Sequence, residues 1–327
     1  MNRMQDERPL IRPLIRPLIR PLILVTGKNG QVGHELVHSL GNFATVFAVG
    51  SRECDLRDPK RIRELVREVR PDLIVNPAAY TAVDKAETDR DTAFEVNATG
   101  PGILAEEAER LGVALVHFST DYVFDGTKSD PYVETDTPNP QSVYGQSKWQ
   151  GEQNVQQRCR RHVILRTSWV YGSHGGNFLK SILRLAKERS SLNMVADQFG
   201  APTSAWLLAQ VTTTIARELV AGAQKYDTFH LTATGATNWY EYAKRVVGVA
   251  RAEGAHLTLS EASIHPIPTE AYPVPAPRPR NSRLDTSKLR AAFPTIVLPD
   301  WTTDVDLAVA RVLQSQTVPS TQSASQP

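Results

Sequence analysis

Short apolar runs alternate with longer amphipathic stretches over the first half of the chain. "LILV" at 22–25 leads into a glycine-rich turn and then a stretch of helical period, "GQVGHELVHSL". "TVFAV", "DLIVN", "ALVHFST" and "HVILRTS" are further runs of strand length. Between them lie "DPKRIRELVREV", "TAFEVNATGPGILAEEAERLG" and "VYGQSKWQGEQNVQQ", which have helical spacing. Strands that short and that apolar are buried on both faces, as in a parallel sheet covered by helices. In "DPKRIRELVREV", Asp58 is the N-cap and Pro59 the first helical residue, so a helix starts there. The stretch holding Pro101 is expected to be interrupted at that residue. Right-handed crossovers then give an α/β fold with a doubly wound parallel (Rossmann) sheet.

Past residue 170 the pattern loosens. Helices are predicted at 177–188, 204–219, 237–252 and 301–314, with short strands such as "TFHLT" and a proline-dense loop, "HPIPTEAYPVPAPRPRNSR". This half reads as a smaller C-terminal α/β lobe. The ends differ again. "RPLIRPLIRPLIRPLI" is four copies of one tetrapeptide. Its prolines forbid a regular helix and its arginines break any signal-peptide core. A basic arm for a partner is one reading. A disordered repeat over 1–20 is the one that low-complexity, proline-rich sequence favours. Residues 315–327 are expected to be a disordered polar tail.

Composition narrows the class. The 327 residues are 41% hydrophobic and 22% charged, ordinary for a globular protein. Without the five arginines and two acids of residues 1–23, 32 basic and 33 acidic residues remain. That balance gives no support to nucleic acid or a membrane surface as partner. Cys54 and Cys159 lack companions at metal spacing, and a reducing cytoplasm suits two isolated cysteines. No apolar run reaches the length of a membrane span.

"VTGKNGQVG" sets Gly27, Gly30 and Gly33 between the first strand and the first helix. Gly27 permits the tight turn, Gly30 the approach of a pyrophosphate, and Gly33 close packing of helix on strand. The helix N-terminus supplies N–H groups for phosphate. Residues 21–170 are therefore expected to form a dinucleotide-binding domain to which some later segments return, and 171–314 mainly a substrate lobe. The second strand ends without an acid, at Gly50. A 2′-phosphate would meet no repulsion there and Arg52 could pair with it, which leans to NADPH, with NADH as the alternative. Asp55 and Leu56 are candidates to meet the adenine.

Two tyrosines precede a lysine by four residues: Tyr144 and Lys148, and Tyr240 and Lys244. Chemistry in such a sheet lies beyond the carboxyl ends of the strands. "ALVHFSTDY" delivers Ser119, Thr120 and Asp121 to that edge, and the next helix returns Tyr144 and Lys148 on one face. The second pair has no such strand beside it and reads as an ordinary helix face.

"YGQSK" with an upstream "ST" matches the Ser/Thr–Tyr–Lys triad of the extended short-chain dehydrogenases. "VNPAAYTAVDKAE", "VHFSTDYVFDG", "VYGQSKWQGE", "LRTSWVYG", "DQFGAPTSA", "AYPVPAPRPRNSRLDTSKL" and "LPDW", in order from about residue 22 to 301, resemble the dTDP-4-dehydrorhamnose reductase family. The resemblance implies NAD(P)H-dependent reduction of the C4 ketone of dTDP-4-dehydro-β-L-rhamnose, the last step of dTDP-rhamnose formation. It implies Tyr144 as proton donor, Lys148 as the cation beside it and Thr120 on the carbonyl oxygen. Gly30, Gln31, Val32, Ala79, Tyr80 and Thr81 would contact cofactor. Thr120, Asp121 and Trp169 would contact the sugar nucleotide, with Asn177 and Arg283 as candidates for its diphosphate. Some members of the family hold Mg2+ between subunits with glutamates. Glu35 fits one such position, so the resemblance allows Mg2+ here, but Trp206 stands where an acid is expected, which speaks against it, and no residue is assigned as a metal ligand. A monomer or a homodimer is expected. Alternatives stand beside this reading: an enzyme on a neighbouring sugar, either a reductase of another dTDP-4-keto-6-deoxyhexose or an epimerase, and a non-catalytic NADP-binding subunit resembling the beta subunit of methionine adenosyltransferase.

Overall fold

The computed structural model describes residues 20–317. The predicted arm and tail therefore lie outside the described residues, apart from their inner edges. Arg20 donates to the Ala44 carbonyl at 2.9 Å, and the last helix runs on to Thr317, into the stretch read as tail.

The strands β1 (Leu22–Val25), β2 (Thr45–Ala48), β3 (Leu73–Asn76), β4 (Ala114–Thr120), β5 (His162–Thr167) and β6 (Asp227–His230) form one sheet in the order β6-β5-β4-β3-β1-β2. Every pairing in it is parallel. The longer helices are α1 (Gln31–Gly41), α2 (Pro59–Val69), α3 (Gly100–Leu111), α4 (Val143–Arg158), α5 (Phe178–Glu188), α6 (Ala205–Val220), α7 (Trp239–Ala252) and α8 (Trp301–Thr317). The two-residue period of β1 sends Ile23 and Val25 into a core with α1 and α6, and Leu24 into a core with α2 and α3. Continuous burial of β3 and β4 explains why those runs are apolar without alternation.

Local signals set the element ends. Asp58 accepts the N–H groups of Lys60 and Arg61, both at 3.0 Å, and Pro59 opens α2 where no N–H is needed. Pro101 does not interrupt its helix, contrary to expectation. The backbone widens into a π turn at Glu95–Thr99, and the Gly100 N–H reaches back to the Glu95 carbonyl. Pro101 then lies at the start of the next regular segment, where its missing N–H is tolerated.

The lobe is built on α5, α7 and α8, with Leu192–Val195 paired to Ile264–Ile267. Residues 207–219, 229–233 and 289–298 return to the main core. Among the described residues no helix is long and apolar enough to cross a membrane. The strand order reverses between β1 and β3, so the loops that follow these two strands diverge and leave a crevice at their carboxyl ends.

Candidate active site

That crevice is a cleft of about 850 Å³ bounded by the loops after β1 to β5 and by the lobe, within the range of small-molecule sites. Gly27, at φ +61°, turns the chain at its floor. A Cβ on Gly33 would lie 2.0 Å from the Gly27 carbonyl oxygen, so the strand–turn–helix closes only with glycine there. No side chain caps the N-terminus of α1, and residues 30–33 line the cleft.

At the opposite wall, Ser142 caps α4 by accepting the Gly145 N–H at 3.1 Å, and the first turns carry Tyr144 and Lys148. Both are buried, as is Thr120 at the end of β4. Burial pushes the Tyr144 hydroxyl up to about 12, against the pull of the Thr120 hydroxyl. Burial brings Lys148 down to about 8, against the pull of Glu152. Its Nζ donates to the Phe118 carbonyl at 2.6 Å. Thr120 donates to Asp121 Oδ1 at 3.0 Å, and burial lifts the Asp121 carboxyl to about 6. The Tyr144 hydroxyl therefore keeps its proton through the neutral range and needs a cation close by to release it, and Lys148 stands one helical turn further on the same face.

Several polar atoms of the cleft walls are buried without a hydrogen-bond partner: Asp121 Oδ2 and the hydroxyls of Ser119, Thr167, Ser168 and Tyr242. Such groups are costly unless a ligand or water completes them. Trp169, at φ +48°, stacks on Trp239 with ring centroids 3.7 Å apart. Gly200 lies against its ring, where a Cβ would come within 2.6 Å.

Most of the predicted residues meet here. Gly27, Gly30, Gln31, Val32, Gly33, Asp55, Leu56, Ala79, Thr81, Thr120, Asp121, Tyr144, Lys148, Trp169 and Asn177 all line the cleft. Three predicted residues do not. Tyr80 is held through its backbone by Asn97 and turns its hydroxyl to Asp89 at 3.0 Å. Arg283 is spent on Asn281, at 2.8 Å, and on the Ser129 carbonyl. Arg52 is exposed, because a tight turn at 50–54 points it outward. That turn also corrects the reading of the strand end: Glu53 folds back, accepts the Gly50 N–H at 2.8 Å and places a carboxylate there after all. Asn177 reaches the cleft but its side chain caps α5 and holds Gln31 at 3.0 Å. Tyr240 and Lys244 lie outside the cleft, with the ammonium over the ring at 4.9 Å.

A family model described as the RmlD substrate binding domain matches residues 21–314. The dTDP-4-dehydrorhamnose reductase of Salmonella typhimurium is 47% identical over 295 residues, which is 89% of this chain and 96% of the relative. The chain belongs to the dTDP-4-dehydrorhamnose reductase family. Among solved structures, the reductase from Clostridium acetobutylicum superposes with a TM-score of 0.82 at 35% identity, covering 90% of this chain and 99% of that one. The reductase from Bacillus anthracis, solved in complex with NADP, gives a TM-score of 0.81 at 33% identity, covering 90% and 100%.

The residues of this family member fit a dinucleotide: a glycine cradle under an uncapped helix start, with unpartnered hydroxyls opposite. They do not fit a metal within one chain. Glu35 accepts the Ser173 hydroxyl at 3.0 Å, Trp206 lies under the Arg311 guanidinium, and among the described residues no group of at least three His, Cys, Asp or Glu is placed to hold an ion. Thr167, Ser168, Trp239 and Tyr242 also line the cleft and are not singled out by the sequence. "RTS" closes β5 as "ST" closes β4, a signal that could have drawn attention to the first two. Trp239 and Tyr242 share a face of α7 that the neighbouring Tyr240–Lys244 pair obscured.

Proposed function

We propose that this chain reduces the C4 ketone of dTDP-4-dehydro-β-L-rhamnose to dTDP-β-L-rhamnose, using NADPH or NADH. The observation that carries the reading is the meeting of Thr120, Tyr144 and Lys148 on one wall of the cleft, beside the unpartnered Asp121 Oδ2. The reduced nicotinamide supplies hydride to the ketone carbon when bound. Thr120 turns its hydroxyl hydrogen from Asp121 Oδ1 to the carbonyl oxygen and holds it as negative charge grows there. Tyr144 donates its hydroxyl proton to that oxygen, and the Lys148 ammonium stabilises the phenolate left behind. Asp121 Oδ2 and the Ser168 hydroxyl are free to take the sugar hydroxyls, and the Trp169–Trp239 stack forms an aromatic wall for the nucleotide. A cytoplasmic location goes with this reading, in keeping with two unpaired, buried cysteines.

The test is turnover of purified protein with dTDP-4-dehydro-L-rhamnose and either reduced cofactor, followed at the nicotinamide absorbance. Oxidation of cofactor in step with product formation is expected. Cofactor binding without turnover would leave a binding subunit in place of an enzyme. Faster turnover of a different dTDP-4-keto-6-deoxyhexose would move the substrate assignment.

A further inference from the structure

Beneath the Tyr144 wall runs a line of buried polar side chains for which the proposed chemistry has no role. Thr26 follows β1, Asn76 ends β3, His117 lies within β4, and Lys148 meets them from α4. Asn76 and His117 are 0% exposed, and Thr26 and Lys148 2%. The Thr26 hydroxyl donates to Asn76 Oδ1 at 2.5 Å. Asn76 Nδ2 meets His117 Nδ1 at 3.0 Å. His117 Nε2 stands 3.5 Å from Lys148 Nζ.

The line has a polarity. With its oxygen taken by Thr26, the Asn76 amide turns its NH2 to His117, so Nδ1 accepts. Burial and the neighbouring lysine hold the ring neutral, well below the usual histidine range, against the pull of the Asn76 backbone carbonyl. A neutral ring that accepts at Nδ1 carries its hydrogen on Nε2, facing Lys148. An N–H aimed at an ammonium opposes its charge, whereas the same N–H aimed at a neutral amine is a hydrogen bond.

We propose that Thr26, Asn76 and His117 are positioning residues that fix the His117 Nε2–H on Lys148 and so set how readily that lysine releases its proton. The inference rests on the reading of Tyr144 and Lys148 as the reducing pair. Two other groups act on Lys148 and favour its charged form: the Phe118 carbonyl, which accepts from Nζ at 2.6 Å, and Glu152. The lysine's own helix offers Tyr144 and Glu152, and Glu152 is bound through both oxygens to Arg166 of β5 at 2.6–3.1 Å. Asp121, beyond β4, acts on Tyr144. The acids of neighbouring segments are engaged elsewhere: Asp84 with Arg278, Asp89 with Tyr80, Glu106 with Arg63, and Glu107 with Arg67.

The experiment is the pH profile of kcat/KM for the ketosugar in wild type, His117→Phe and Thr26→Val, with thermal melting and NADPH binding recorded for each. Activity falls as pH rises through the ionisation of Lys148. Removing the opposing N–H in His117→Phe should move that alkaline limb up by on the order of one pH unit. Thr26→Val frees the amide to turn over and should move it in the same direction by less; if His117→Phe does not fold, this milder variant carries the test. A fall in rate at every pH with an unmoved limb would make the line merely structural and overturn the inference. A limb displaced downward would mean that Nε2 accepts from the ammonium, which also overturns it. A wild type without turnover would instead sink the reductase reading itself.

Discussion

Lys28 of the glycine loop and Glu53 beyond β2 form an ion pair at 2.7 Å, and the other Glu53 oxygen holds the Gly50 N–H. The acid that the strand end lacks in sequence thus arrives from the following turn. A carboxylate there suits a ribose hydroxyl and repels a 2′-phosphate, while Lys28 offsets part of that repulsion. Both groups are partly exposed, so the effect is modest. Glu53→Gln should tighten NADPH relative to NADH by about two- to fivefold, and Arg52→Ala should change neither. Fluorescence titration with each cofactor decides it; equal changes for both would leave Glu53 as a turn-closing residue only.

Tyr144→Phe removes the proposed proton donor and keeps the ring that packs edge-on against Tyr122 at 5.5 Å. Loss of kcat on the order of 10²-fold or more is expected, with cofactor affinity retained. Tyr240→Phe, outside the cleft, serves as the control and should match wild type in steady-state kinetics.

Asp121 gives a pH-dependent stability signature. Its carboxyl is raised from 3.8 to about 6 by burial. Between those values the folded protein keeps a proton that the unfolded chain has lost, so the stability it contributes is full at low pH and gone above about 6. Asparagine mimics the protonated form. Asp121→Asn should therefore melt higher than wild type at pH 7, and the gap should close as pH falls toward 4. A gap independent of pH would show that the carboxyl does not titrate in this window.

Gly200→Ala should act at the far end of the cleft. The new methyl group would meet the Trp169 ring at 2.6 Å and displace it from its stack on Trp239. We expect KM for the sugar nucleotide to rise roughly tenfold, in line with ~1–3 kcal/mol for overpacking, while the NADPH dissociation constant holds. Equal losses in both would place Trp169 in general packing.

What could be read from the sequence was what is decided locally. Asp58 and Pro59 start a helix by their own chemistry, and Tyr144 and Lys148 share a face by helical spacing alone. Thr120 reaches the cleft because it ends a buried strand. What residue order does not carry is set by distant partners. Arg283 looked free until Asn281 and the Ser129 carbonyl were brought beside it. Arg52 depended on the direction of a turn that Glu53 closes. Pro101 was read as a break because a widened turn leaves no signature in residue order.

The return of residues 207–219, 229–233 and 289–298 to the main core has a consequence for how such a protein can be altered. The lobe that carries Trp239 and Tyr242 is not a contiguous cassette; it is stitched from segments that leave the sheet domain and come back. Grafting a relative's lobe as a single fragment would sever helix α6 from α1, where Ser39 and Thr213 hydroxyls meet at 2.7 Å. Substrate preference on this scaffold is therefore open to point changes along the cleft wall and closed to wholesale exchange of modules.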